Sequence, residues 1–77
     1  MRAHDELMQF LTSGPTVTQI IDYSPSKRTQ KRVQQLEQSK EVGQLSADEY
    51  AELRVYGRAV AFLQQIKERA LRRIARV

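Results

Sequence analysis

The stretch Gly43-Gln44-Leu45-Ser46-Ala47-Asp48-Glu49-Tyr50 constrains this chain more than any other, because it ends one helix and begins the next. Gly43 suits the left-handed position just past a helix C-terminus, where a Cβ would clash. Ser46 and Glu49 have the S-x-x-E spacing of a capping box, in which each side chain accepts from the other residue's backbone N–H. Leu45 and Tyr50 stand at the two positions of a hydrophobic staple. Three independent signals therefore specify two helices joined by a short turn.

The first of these helices is expected over 25–42, with Ser24 as its N-cap and Pro25 at the first helical position, where a missing N–H costs nothing. Its apolar face is thin: Val33, Leu36, Val42 and Thr29 among Lys, Arg, Gln and Glu. The second is expected over 47–75, roughly 44 Å at about 1.5 Å per residue. It keeps a spacing of three then four through Leu53, Tyr56, Val60, Leu63, Lys67, Ala70, Ile74 and Val77, broken only by Lys67, with Ile66 and Leu71 as flanks. The first helix, near 27 Å, is too short to cover that stripe, so its C-terminal half needs another cover.

Ahead of these helices, Leu7, Phe10 and Leu11 give a short amphipathic helix within 1–13, stopped by Ser13-Gly14-Pro15. Residues 16–23, Thr-Val-Thr-Gln-Ile-Ile-Asp-Tyr, are rich in β-branched and aromatic types and read as an extended, strand-like segment, with a helix as the alternative. A lone strand has no ladder partner, so it must pair with a copy from another chain or collapse into an extended loop. The expected architecture is one mainly α domain: a long antiparallel two-helix hairpin, preceded by the extended segment and the short helix, and dimeric. Its core is expected to hold Val33, Leu36, Leu45, Tyr50, Leu53, Tyr56, Val60, Leu63 and Ile66.

Chemistry-bearing patterns are absent from the sequence. There is no cysteine and a single histidine, His4, so neither thiol chemistry nor a His/Cys metal set is available. Asp48, Glu49 and Glu52 form an acidic group, but carboxylates in a first helical turn complement the helix dipole and Glu49 has a capping role. No phosphate loop or nucleophile–base pair is present. The expectation is no catalysis, no cofactor, no metal and no small-molecule substrate. With no apolar run long enough to span a bilayer, and Asp5 and Glu6 where a signal peptide would be apolar, a cytoplasmic, bacterial protein is expected.

The net charge of +4 is uneven: −2 over residues 1–24, +3 over 25–44 and +3 over 45–77. Lys27, Arg28, Lys31 and Arg32 form two i, i+4 like-charged pairs at a helix N-terminus, against both Coulomb repulsion and the dipole. They ask for a compensating anion, phosphate or an acidic surface. Lys67, Arg69, Arg72, Arg73 and Arg76 lie near a C-terminus, where the dipole suits them and Glu68 can pair with Arg72.

The order strand, helix, turn, helix over Thr16 to about Ile66 resembles the ribbon-helix-helix repressors, many of them antitoxins, which dimerise through a shared ribbon and read DNA with it. This chain departs from them in a ribbon without Lys or Arg, in longer helices and in carrying its positive charge on the helices. Ser24–Arg32, Leu36, Gly43–Glu49 and Leu53 also look like small bacterial proteins that pair an S-x-x-x-Q-x-R helix with G-x-L-[ST]-x-[DE]-E. The reading that follows is an antitoxin-like, non-catalytic regulatory module. Its long helix would enter a partner protein's groove through Leu63, Ile66, Ala70 and Ile74. The rivals are a DNA-binding dimeric repressor that contacts phosphates through Lys27, Arg28, Lys31 and Arg32, and a purely self-assembling helical module.

Overall fold

The computed structural model describes residues 2–75, which form α1 (Asp5–Thr12), α2 (Val17–Asp22), α3 (Lys27–Glu41) and α4 (Ala47–Ala75), with no strand among the described residues. Between α3 and α4 the local signals act as read. Gly43 takes φ 69°. The Gln44 N–H donates to Ser39 O at 2.8 Å and the Gly43 N–H to Lys40 O at 3.1 Å, the two bonds of a Schellman ending. Ser46 Oγ accepts from the Glu49 N–H, and Glu49 Oε1 accepts from the Ser46 N–H, each at 3.1 Å. Tyr50 departs from expectation. It is 53% exposed, with Lys40 Nζ 5.9 Å from its ring centre, because the last turns of α3 offer it a cation rather than an apolar wall.

The segment 16–23 holds a helix, Val17–Asp22 between extended Thr16 and Tyr23, and not a strand. Thr16 Oγ1 accepts from the Gln19 N–H at 3.2 Å, and Gln19 Oε1 accepts from the Thr16 N–H at 2.9 Å. This is a second capping box, T-x-x-Q, and it satisfies locally the groups that a lone strand would leave open. The ribbon on which the repressor-like layout rested is therefore replaced by α2. That helix packs on α4 and supplies the cover the second half of α4 needed. Lys67, the break in the apolar stripe, donates from Nζ to Tyr23 O at 2.6 Å and ties the end of α2 to α4.

The start of α3 is also corrected, from Ser24 to Ser26. Ser26 is extended (φ −63°, ψ 161°) and its Oγ accepts from the Thr29 N–H at 3.3 Å. Its own N–H donates to Glu6 Oε1 of α1 at 2.8 Å. Thr29 is too short to reach back as a capping-box Glu does, so Glu6 completes the box from another helix. The Tyr23 hydroxyl donates to the same oxygen at 3.3 Å, and its ring stacks on Phe10 with centroids 4.3 Å apart. Hydrogen bonds to Ser26 hold the Glu6 carboxyl below its ordinary range, and burial beside Glu6 pushes the Tyr23 hydroxyl up to about 12.

The molecule measures 49 × 20 × 19 Å, and α4 accounts for its long axis. Ala3, Leu7, Leu36, Leu63 and Ala70 are the buried apolar residues. Of the expected core, Leu36 and Leu63 are buried, whereas Val33, Leu45, Leu53, Tyr56, Val60 and Ile66 are only half-buried. The centre of the inward face of α4 runs Glu52, Leu63, Ala70, displaced from the Leu53–Val60 line towards the side where the Ala3 N–H meets Glu52. Arg76 and Val77 lie outside the described residues.

Candidate functional site

Glu52 is a carboxylate at the centre of a buried face, 6% exposed. Arg32 Nε and Nη2 donate to its two oxygens at 3.0 and 2.9 Å, and the Ala3 N–H donates to Oε2 at 2.8 Å. The Arg32 guanidinium holds the Glu52 carboxyl below its ordinary value against the opposing effect of burial. This knot fastens the segment before α1, the first half of α3 and the first half of α4 to one another. Together with Glu6 at the α3 N-cap, it supplies part of the compensating charge that the basic start of α3 demands. Arg32 is thereby committed to the fold. Lys27, Arg28 and Lys31 are exposed, and no salt bridge engages them among the described residues.

The residues expected to meet a partner are divided by the fold. Leu63 and Ala70 are buried at 4% and 7% exposure, because α4 turns them onto the other helices. They are not surface anchors in this conformation. Ile66 is half-buried, and Ile74, beyond the end of the packed stretch, is 51% exposed. Leu71, beside it, is 53% exposed.

A second apolar stripe, absent from the sequence reading, lies beside the inward face, turned from it by roughly a sixth of a turn at about 100° per residue. It runs Val55, Ala59, Phe62, Ile66, again with four-three-four spacing. Val55 is 39% and Phe62 56% exposed, while Ala59 and Ile66 are half-buried along its inner edge. The signal was present in the sequence as a second set of i, i+4, i+7 apolar positions, but the stronger Leu53–Ile74 series masked it. A phenylalanine more than half exposed, with Val55, Ala59 and Ile66 at helical spacing, forms a ridge of the kind that enters a groove on another protein.

Other polar groups have local work. Glu49 caps α4, and Glu68 Oε2 lies 3.8 Å from Arg72 Nη2 at i, i+4. His4 Nε2 lies 3.8 Å from Asp5 Oδ1, and its buried Nδ1 has no hydrogen-bond partner. Among the described residues no His, Cys, Asp and Glu group has a metal-holding arrangement, and no helix is long and apolar enough to cross a membrane. No family model, curated protein or solved structure matches this chain.

Proposed function

We propose that this chain is a non-catalytic, regulatory protein-binding module of antitoxin-like type. In this reading α3 and α4 act as an antiparallel hairpin that presents the flank of α4 to a partner protein. The observation that carries the reading is the exposed ridge Val55–Phe62, continued at its edge by Ile66. Removing the still-exposed parts of Phe62 and Val55 from water would contribute about half of the roughly 1.5–3 kcal/mol that full burial of each side chain gives. The rigidity of a 29-residue helix seated on three others means little ordering is needed on binding. Of the anchors expected from sequence, Ile66 joins this ridge. Ile74 and Leu71, exposed at the far end of α4, lie about 120° and 180° around the helix from Phe62 and stand apart from the ridge.

The test is capture from a lysate of the protein's own host, with nuclease, using wild type and the Phe62→Asp variant. The reading expects a stoichiometric protein partner that Phe62→Asp loses while far-ultraviolet circular dichroism is unchanged. Equal capture by wild type and Phe62→Asp overturns it. Sedimentation of the purified chain separates the self-assembling alternative: a wild-type dimer that Phe62→Asp converts to monomer would assign the ridge to a second copy.

A further inference from the structure

Arg2, Arg28, Lys31 and Arg32 converge on one cleft of about 310 Å³ between the segment before α1 and the first turns of α3. Its floor is made by Ala3 and Thr29, 1% and 2% exposed. The cleft is built, not incidental. The bond from the Ala3 N–H to Glu52 and the bidentate Arg32–Glu52 pair clamp its two walls to the same buried carboxylate. The Arg2 N–H donates to Asp5 Oδ2 at 2.9 Å, which fixes the backbone that carries the Arg2 side chain. Glu52 offsets one of the four cations and lies behind Arg32, so Arg2, Arg28 and Lys31 face the opening without an acidic partner among the described residues. Arg28 and Arg32 repel each other at i, i+4, and the helix dipole adds to the positive potential. The fold holds this charge in place without neutralising it.

We propose that the cleft binds a compact, multiply charged phosphate chain, a site independent of the ridge on α4. Guanidinium groups match phosphate oxygens in fork geometry, and Lys31 adds a mobile point charge. The volume stands at the lower end of small-ligand sites, and no aromatic ring lines it on which a base could stack. The Thr29 N–H is already taken by Ser26 Oγ and the Ser26 N–H by Glu6. Recognition rests on side chains.

The experiment is calorimetric titration of the full chain with inorganic tripolyphosphate, adenosine triphosphate and a short DNA duplex at fixed salt, with amide shifts followed by NMR. The proposal expects one saturable site for tripolyphosphate, with shifts at Arg2, Ala3, Arg28 and Thr29. The paired variant Arg28→Gln with Lys31→Gln should weaken it at least tenfold. Arg54→Gln with Arg58→Gln, which removes the same charge elsewhere on the exposed surface, should change it less than threefold. Similar affinity for the nucleotide supports a site that reads phosphates alone. Four results overturn the proposal: no saturable tripolyphosphate binding, equal weakening by the two paired variants, binding of the nucleotide without tripolyphosphate, or a duplex that binds more tightly than tripolyphosphate with affinity growing with its length. Because Arg28, Lys31, Arg54 and Arg58 are all exposed, the variants keep the fold, which circular dichroism checks. Phe62→Asp leaves this binding unchanged, so the two sites fail separately.

Discussion

Two apolar stripes run side by side along α4, and the molecule treats them differently. The inward one, through Glu52, Leu63 and Ala70, is covered by the other three helices and fastened by Arg32 and by Lys67. The flanking one, through Val55, Ala59, Phe62 and Ile66, has helical apolar spacing of the same kind and is left with a phenylalanine 56% exposed. Composition does not separate them, since the inward face carries a buried carboxylate and the flank carries the larger apolar side chain. What separates them is the length and placement of the covering helices. Hydrophobic spacing shows that a face is able to be buried; the cover determines whether it is.

The contrast can be broken most severely on the inward side. Leu63→Ala removes methyl groups from a packed site and should cost about 3 kcal/mol, a large share of the roughly 5–15 kcal/mol that holds a small domain together. Urea unfolding measures it as a lower midpoint at unchanged slope. Glu52→Gln keeps the shape but removes the charge that Arg32 and the Ala3 N–H both use, and should cost about 2 kcal/mol. Its signature would be loss of amide protection at Ala3 in hydrogen exchange.

Acid should act on the same side. The Glu52 and Glu6 carboxyls are both held below the ordinary value of 4.5, Glu52 by Arg32 and Glu6 by Ser26. Their contribution to stability is therefore complete above the unfolded-chain value. It is lost as pH falls through 4.5 towards the folded values, because the unfolded chain takes up protons first. Thermal unfolding between neutral pH and pH 3 should show this decline, and Glu52→Gln should flatten part of it. Ser46→Ala removes one half of a capping box and should cost about 1 kcal/mol, a fall in Tm of roughly 4–8 °C. On the flank, Phe62→Asp should change stability by less than about 0.5 kcal/mol, because Phe62 is already more than half exposed. A larger loss would mean the two stripes are one core.

What could be read from sequence follows the range of each interaction. The turn at Gly43–Glu49 and the start of α4 were legible because each signal is satisfied within a few residues. The box Thr16–Gln19 was equally local, yet Val17, Ile20 and Ile21 carried the segment towards a strand, since β-branched residues weigh on propensity while the cap decides. The start of α3 was not legible, because the group that completes its cap is Glu6, twenty residues away. Glu52 was hidden for the same reason: a carboxylate one turn after Asp48 and Glu49 reads as solvated with them until Arg32 is brought to it. In the candidate sites, the basic residues at 27–32 were visible from charge alone, but the commitment of Arg32 to the fold and the arrival of Arg2 beside Arg28 needed the tertiary arrangement. The anchors at Leu63 and Ala70 were placed on the right helix and the wrong side of its covered edge.

The most direct measurement exploits the absence of cysteine. Single cysteines at Val55, Phe62 and, as a control, the exposed Gln34 of α3 would each carry a photoreactive label in the protein's host lysate. The account predicts a crosslink to one and the same protein from Val55→Cys and Phe62→Cys, and none from Gln34→Cys. Equal crosslinking from all three positions, or from Gln34→Cys alone, would contradict the assignment of the α4 flank as the binding face.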